Sequence, residues 1–222
     1  MAMNAGKYVL INKPLASKYD DCIRINYASE KLNIPCFVSY HMRYLPYFRT
    51  IKKYLKDEII GDLLQVSLRF YSDENKSMFL THASQQLDIL QYLFGIITEV
   101  AGYSANNQFS IERNSKTTNA NFKFETGLTG SASWCYGVVS SNKKDEIEII
   151  GSKGALLVSS FCGKKIDIIT EKEAKTVEIP EESEPELHLF KAVVEHLQGF
   201  NVCNCNSISA TPANWVLDKM KG

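Results

Sequence analysis

The 222-residue sequence lacks the patterns that mark several common classes of protein. No two of its twelve glycines are spaced i and i+2, so the G-x-G-x-x-G fingerprint of a dinucleotide-binding turn is missing. The clearly apolar runs are short, such as residues 8–11, and none approaches the roughly 20 residues that span a bilayer. The 25 basic and 25 acidic residues give a formal net charge of zero, which provides no basic surface for nucleic acid. We therefore expect neither a membrane partner nor a nucleic-acid partner.

The cysteines give no support for a disulfide framework or a metal site. Six are scattered along the chain, and the only close pair, Cys203 and Cys205, has no matching second pair. We interpret them as reduced thiols, with a disulfide or metal role as the alternative. The N-terminus also lacks a signal-peptide apolar region, so we expect a cytoplasmic protein.

The first forty residues predict a strand, a helix and a second strand. Lys7–Ile11 and Cys36–Tyr40 are short apolar β-rich runs, and Tyr19–Leu32 has helical spacing. A strand, a helix and a strand of this length form a βαβ unit with parallel strands and a right-handed crossover. The apolar side of the helix is predicted to contain Ile23, Tyr27 and Leu32.

The rest of the chain predicts a mostly antiparallel sheet that carries helices. Helices are expected from Pro46 onward, over 82–94 with Gly95 as the C-terminal cap, over 185–197 and over 212–220. Alternating apolar residues predict strands at 64–71, 120–125, 128–136, 146–150, 155–159, 165–170 and 176–179, the last two at an edge. Trp134 and Tyr136 are expected to pack on helices of the same domain, and the lysines after Pro46 to be solvated. The fold class is α/β (α+β), with a partial βαβ unit followed by an open sheet that has helices on one face.

Four segments in order along the chain match the motifs of one enzyme family. Residues 5–16 read A-G-K-Y-V-L-I-N-K-P-L-A, Arg43 precedes Pro46 by three residues, residues 61–66 read G-D-L-L-Q-V, and residues 87–95 read L-D-I-L-Q-Y-L-F-G. These segments resemble the A-G-K-H-V-L-x-E-K-P-L-A, R-x-x-P, G-x-I-x-x-V and L-D-L-L-x-x-L-F-G motifs of the glucose–fructose oxidoreductase / inositol dehydrogenase / MocA (Gfo/Idh/MocA) family.

This resemblance implies an NAD(P)-dependent oxidoreductase that acts on sugars, inositols or nucleotide sugars. It implies a Rossmann domain, here without roughly its first third, and an α/β domain whose open sheet mediates homo-oligomerisation. The predicted division is a Rossmann remnant at 1–42, a substrate and oligomerisation domain at 43–210, and a C-terminal helix at 211–222. The implied cofactor is NAD or NADP, which we expect this chain alone to bind weakly or not at all, because the glycine turn that holds the diphosphate is missing.

The resemblance places Lys13 beside the nicotinamide and the substrate, within a cofactor-binding segment formed by Asn12, Lys13 and Pro14. The end of a parallel strand suits this role, because ligands bind there in open α/β sheets. Asn12 stands where the family has a glutamate, which changes the neighbouring charge. The alternative is a surface lysine in a turn.

The start of the helix at 82–94 departs from the family pattern. The family often has T-x-x-x-H-x-x-D here, and Gln85 stands where its catalytic histidine is expected. A glutamine amide does not accept a proton near neutral pH, and losing a general base commonly costs about 10²–10⁴ in rate. His82 or His41 could substitute as the base, the alternative for each being a structural or exposed residue. We expect substrate binding by His41, which follows the second predicted strand, and by Arg43, Thr81 and Asp88.

Two functions remain open at this point. The first is hydride transfer between NAD(P) and a sugar-like alcohol, with Lys13 and a histidine handling the proton. The second is a non-catalytic paralogue that acts as a ligand-binding or assembly subunit. Gln85 and the missing glycine turn favour the second.

Overall fold

The computed structural model describes residues 2–106, 116–161 and 163–220. They form two compact units, each assembled from separate segments of the chain. Unit 1 comprises Met1–Leu45, Leu80–Ile89 and Glu182–Asp218, and unit 2 comprises Pro46–Phe79, Leu90–Glu181 and Lys219–Gly222. Cys162, one of the predicted reduced thiols, lies outside the described residues; the other five cysteines are free thiols. In the part of the chain that the structure describes, no helix has both the length and the apolar character needed to cross a membrane.

Unit 1 is built on a two-stranded parallel sheet. Strands β1 (Val9–Ile11) and β2 (Cys36–Val38) are joined by helix α1 (Tyr19–Leu32), with Val9 opposite Cys36 and Ile11 opposite Val38. This confirms the predicted strand, helix and strand. Because the strands are parallel, their carboxyl ends meet at the same edge of the sheet. The residues that follow each strand therefore lie side by side.

The core of unit 1 surrounds β2, whose three residues are all buried. Helix α1 packs against this core through Cys22 and Ile25, which lie three residues apart on one side of the helix. The prediction for the apolar side of α1 is wrong, since Ile23, Tyr27 and Leu32 are 45, 64 and 37% exposed. The helical period is correct, but the small Cys22 rather than the larger Ile23 faces the core. The buried cluster contains Leu15, Cys22, Phe37, Val38, Tyr40, Leu189, Cys203, Cys205 and Ala210.

Three further helices contribute to unit 1, and their starts differ from the predicted positions. Helix α3 (Phe79–Phe94), which contributes residues to both units, begins three residues earlier than expected, and α4 (Leu187–Leu197) begins two residues later. Helix α5 (Ser207–Lys219) begins five residues early, with Pro212 inside it. Proline favours the first turn of a helix, which explains the error.

Unit 2 contains helix α2 (Pro46–Lys56) and an eight-stranded sheet. The strands are β3 (Leu63–Ser72), β4 (Ile97–Asn106), β5 (Lys116–Phe124), β6 (Thr129–Tyr136), β7 (Lys144–Gly151), β8 (Gly154–Val158), β9 (Lys165–Thr170) and β10 (Ala174–Glu178). Their order is β10-β9-β8-β7-β3-β6-β5-β4, and among the described pairs only β3 and β6 are parallel. This confirms the mostly antiparallel sheet.

The edges of this sheet differ from the prediction. Strand β9 lies between β8 and β10, so only β10 of the two strands expected at an edge lies there. At the other edge β4 was not predicted, because residues 97–106 do not alternate regularly between apolar and polar side chains. Leu64 is 58% exposed rather than buried with Val66, since the register with β7 shifts between Leu63 and Gln65.

The buried face of the sheet is anchored by aromatic residues. Trp134 and Tyr136 are fully buried, and the ring of Phe79 at the start of α3 meets both edge-on, with ring centroids 5.9 and 6.1 Å apart. Such edge-to-face pairs add about 0.5–1.5 kcal/mol beyond the burial of apolar area. The expectation that these rings pack on a helix of the same chain is confirmed. The three lysines of α2 are exposed, as predicted: Lys52, Lys53 and Lys56.

Candidate functional site

Lys13 lies two residues after β1, in a turn that both parallel strands hold in place. Its backbone N–H donates to Asn12 Oδ1 at 3.0 Å and to Ser39 Oγ at 3.2 Å. Ser39 directly follows β2 and donates its hydroxyl to Asn12 Oδ1 at 2.9 Å. The peptide bond between Lys13 and Pro14 is cis. The predicted cofactor-binding segment is therefore fixed at the carboxyl end of β1 by a residue from the end of β2.

The side chain of Lys13 meets His41, the residue that opens a short 3-10 helix (His41–Tyr44) after β2. Lys13 Nζ lies 3.4 Å from His41 Nδ1, and Glu186 Oε1 lies 3.9 Å from the same nitrogen. The His41 side chain is only 14% exposed. The structure therefore brings together two of the residues that the sequence singled out, at the edge of the sheet where ligands bind in open α/β folds.

Electrostatics determine where the proton of this pair resides. Burial lowers the pKa of Lys13, and the Glu186 carboxylate opposes this effect. Burial, and then the charge of Lys13, lower the pKa of His41 from its ordinary 6.5. Two cations this close repel each other strongly, which disfavours a positive charge on both side chains at once. Because the ordinary pKa of lysine lies well above that of histidine, we expect Lys13 to be the protonated member, with its ammonium donating a hydrogen bond to neutral His41.

Arg43 and Asp88 form a buried ion pair. Arg43 Nε donates to Asp88 Oδ2 at 2.9 Å, and Arg43 Nη2 donates to Asp88 Oδ1. The guanidinium also donates to the carbonyl of Asn204 at 2.7 Å and to that of Ser209 at 3.0 Å. Burial opposes the charge on Arg43, but the charge and hydrogen bonds of Asp88, with smaller contributions from Cys205 and Tyr40, together raise the pKa of Arg43. This pair ties the 3-10 helix after β2 to α3 and to the start of α5. Contact of either residue with a substrate stays a prediction.

The remaining predicted residues lie in the first turns of α3. Gln85 is 6% exposed and its Nε2 donates to the carbonyl of Thr81 at 3.4 Å. Thr81 and His82 are partly buried. The structure thus groups six of the predicted residues into three contacts: Lys13 with His41, Arg43 with Asp88, and Gln85 with Thr81.

Two residues of this region were missed by the sequence reasoning. Glu186 belongs to an acidic stretch before α4 that suggests a solvated loop, and its partner His41 is distant along the chain. No local pattern distinguishes it from the neighbouring glutamates. Ser39 carried a weak signal, since it directly follows β2 and a short hydroxyl there can bond the backbone of the adjacent turn.

The N-terminus of α1 does not fit the diphosphate of a dinucleotide. A helix N-terminus binds phosphate through unpaired N–H groups and the positive end of its dipole. Here the N–H of Tyr19 donates to Asp218 Oδ2 at 2.5 Å, and Asp20 and Asp21 lie in the first turn. One N–H of this helix end is therefore already bonded to a carboxylate, and the two aspartates of the first turn oppose the binding of a further anion. The contact between Lys13, in the turn after β1, and His41, after β2, fits the reacting end of such a cofactor, since it offers a charged donor beside a proton acceptor.

The large sheet of unit 2 identifies the family. Residues 48–157, from α2 to β8, match the family model of the GFO/IDH/MocA C-terminal domain. This chain contains a GFO/IDH/MocA C-terminal domain. The resemblance inferred from the short motifs is thereby confirmed. Across residues 2–106, 116–161 and 163–220, no group of three or more His, Cys, Asp or Glu side chains is arranged to hold a metal ion.

Longer proteins match the GFO/IDH/MocA chain over almost its whole length. Oxidoreductase P35 of Formosa agariphila is 22% identical in an alignment 236 residues long. The alignment covers 97% of this chain and 70% of that protein. Biliverdin reductase of Synechocystis sp. PCC 6803, solved with biliverdin and NADP+, superposes with a TM-score of 0.85 at 15% sequence identity. The superposition covers 99% of this chain and 72% of the biliverdin reductase chain. The WlbA dehydrogenase of Bordetella pertussis, solved with NADH and UDP-GlcNAcA, gives a TM-score of 0.79 at 19% identity over 99% and 70% of the two chains. At these identities the structural matches show a shared fold.

Proposed function

We propose that this chain carries the substrate side of an oxidoreductase site that acts on a hydroxyl group of a sugar, an inositol or a nucleotide sugar. The observation that carries the proposal is the contact between Lys13 Nζ and His41 Nδ1 at the carboxyl ends of two parallel strands. A partly buried lysine with an adjacent proton acceptor is the arrangement that general acid–base chemistry on a hydroxyl requires. His41 thereby takes over the proton role for which Gln85 is unsuited.

The residues of the chain handle the proton in this proposal. The Lys13 ammonium donates a hydrogen bond to the oxygen that becomes or ceases to be an alkoxide, and partial burial strengthens that interaction. Neutral His41 accepts a proton from Lys13 through its Nδ1. Arg43 and Asp88 keep the segment after β2 in place, and so position His41. A bound nicotinamide would supply the hydride exchange.

The nature of the substrate and the cofactor is proposed from the family and the relatives. The WlbA dehydrogenase structure contains NADH and a nucleotide sugar, and the biliverdin reductase structure contains NADP+. We therefore propose NAD or NADP as the cofactor and a sugar-like alcohol as the substrate. The carboxylates at the start of α1 repel the cofactor diphosphate, which supports the proposal that this chain on its own binds the cofactor weakly.

We also propose a cytoplasmic homo-oligomer formed through the open face of the large sheet. On that face Arg69 of β3 is 41% exposed and pairs with Glu146 and, at 3.7 Å, with Glu148 of β7. Antiparallel sheets of this kind can pack one face on their own core and present the other to water or a second subunit. Light scattering tests the assembly: a dimer or larger species is expected, and a monomer contradicts it.

A second function is favoured by two observations. Gln85, at the position of the family's catalytic histidine, is buried and bonded within its own helix, and Asp218 engages the N-terminus of α1. A non-catalytic ligand-binding or assembly subunit would have no need of a general base or a diphosphate site. Under this alternative the protein has the family's fold but does not catalyse the reaction.

A spectrophotometric assay separates the two functions. Nicotinamide absorbance is followed at millimolar NADH or NADPH with oxidised sugars, inositols and nucleotide sugars as substrates. The proposal predicts slow turnover that Lys13→Met removes and that Lys7→Met, at an exposed lysine, leaves unchanged. Turnover that survives Lys13→Met refutes the assigned role. Substrate binding without any turnover favours the non-catalytic subunit.

A further inference from the structure

One nitrogen of His41 lies within reach of both a cation and an anion. His41 Nδ1 is 3.4 Å from Lys13 Nζ and 3.9 Å from Glu186 Oε1. The three side chains come from the turn after β1, from the 3-10 helix after β2 and from the residue before α4. The fold therefore assembles them from three separate segments. The Glu186 side chain is 55% exposed, whereas that of His41 is mostly buried.

We propose that Glu186 is a positioning residue that stabilises the arrangement in which His41, rather than Lys13, carries the shared proton. The effect of Glu186 on turnover depends on the proposed function, whereas its effect on His41 does not. In the resting arrangement the Lys13 ammonium donates to His41 Nδ1. In the second arrangement one N–H bond of Lys13 has broken and an N–H bond at His41 Nδ1 has formed, which leaves a neutral amine and an imidazolium beside the Glu186 carboxylate.

The carboxylate matters because burial and the charge of Lys13 both oppose protonation of His41. Burial and the charge of Lys13 both lower the pKa of His41, whereas Glu186 and a hydrogen bond with the Ser39 backbone raise it. Glu186 also raises the pKa of Lys13. What favours His41 as the proton carrier is the geometry, since Glu186 Oε1 lies 3.9 Å from His41 Nδ1, the atom that gains the proton. A carboxylate that holds an imidazole in a defined orientation and stabilises its charged form is a recurring device in acid–base catalysis.

The neighbouring Glu182 provides a matched control. It lies on the same acidic stretch but pairs with His188, with 2.9 Å between Glu182 Oε2 and His188 Nε2. Glu182→Gln and Glu186→Gln thus make the same chemical change at two histidine–glutamate pairs. Of these two pairs, the one formed by Glu186 and His41 lies next to Lys13.

The test is an NMR pH titration of the histidine ring signals of the full chain, without cofactor or substrate. The sequence has four histidines, and the His41 signal is identified by its loss in His41→Gln. We expect Glu186→Gln to move the His41 midpoint to lower pH, Glu186→Asp to restore part of the shift, and Glu182→Gln to leave the His41 midpoint unchanged. An unchanged His41 midpoint in Glu186→Gln, or an equal shift in Glu182→Gln, overturns the proposal.

A second measurement separates this proposal from the proposed function. Where the chain shows turnover, one limb of the plot of kcat/KM against pH reports the protonation of Lys13 and His41. We expect Glu186→Gln to move this limb to lower pH, as it moves the NMR midpoint of His41. A pH profile that stays in place while turnover is intact overturns the positioning role. Absence of turnover in the parent chain refutes the proposed function alone, because the NMR titration still determines whether Glu186 acts on His41.

Discussion

Replacing Asp88 with asparagine is expected to destabilise the chain strongly while leaving its shape intact. Asp88 is 1% exposed and accepts two hydrogen bonds from Arg43, whose side chain is 10% exposed. The substitution leaves a buried guanidinium without its counter-charge. Removing one partner of a buried ion pair typically costs about 3–5 kcal/mol. Because Arg43 keeps its bonds to the carbonyls of Asn204 and Ser209, we expect a loss at the lower end, about 3 kcal/mol.

The assay is urea unfolding followed by circular dichroism, with the slope of the transition checked for constancy. A matched control is Asp57→Asn, which breaks an exposed pair with Lys53, a residue with 70% side-chain exposure, and should leave the midpoint unchanged. The double variant Arg43→Met with Asp88→Leu removes both charges and should recover most of the stability, since apolar groups can replace a buried pair. A loss below about 1 kcal/mol in Asp88→Asn would refute the reasoning, because it would match an exposed ion pair.

Three further predictions concern packing and pH. Gly151→Ala should lower stability by about 1–3 kcal/mol in urea unfolding, because a Cβ there would lie 2.2 Å from the carbonyl oxygen of Ile60; an unchanged midpoint would contradict the close approach. Phe79→Ala should cost about 3–5 kcal/mol and shift the fluorescence of Trp134 to longer wavelength as water enters, and an unshifted spectrum would argue against the packing. The depressed pKa of His41 means that the folded chain binds this proton less readily than the unfolded chain, so stability falls as pH drops below the ordinary 6.5. His41→Gln should therefore lose less stability than the parent between about pH 7 and pH 5, and an equal loss would contradict this.

Local signals in the sequence predict the elements around the site well. Helix α1 has the bounds expected from Tyr19 and Leu32, because Asn33 adopts a left-handed conformation and its N–H bonds the carbonyls of Glu30 and Ser29. A residue that tolerates this conformation and precedes a proline-containing turn is a strong signal for a helix end. The parallel pairing of β1 and β2 likewise follows from element lengths alone.

Structural features that depend on tertiary contacts could not be predicted from the sequence. Whether Cys22 or Ile23 faces the core depends on what α1 packs against, and both choices have the same helical period. Arg43 and Asp88 were each singled out, but nothing in their spacing indicates that they bond each other. Glu186 resembles the other acidic residues near it and gains a role only because the fold carries α4 to the end of β2. The division of the chain at residues 42 and 210 stays a prediction.

We propose that residues 2–106, 116–161 and 163–220 provide the reacting end of a nicotinamide site but no turn that would hold the diphosphate. The most direct test is isothermal titration calorimetry of NADH and NADPH into the 222-residue chain. The carboxylates at the N-terminus of α1 and the missing glycine turn predict a Kd weaker than about 1 mM, or no detectable heat. A Kd in the micromolar range would contradict the claim.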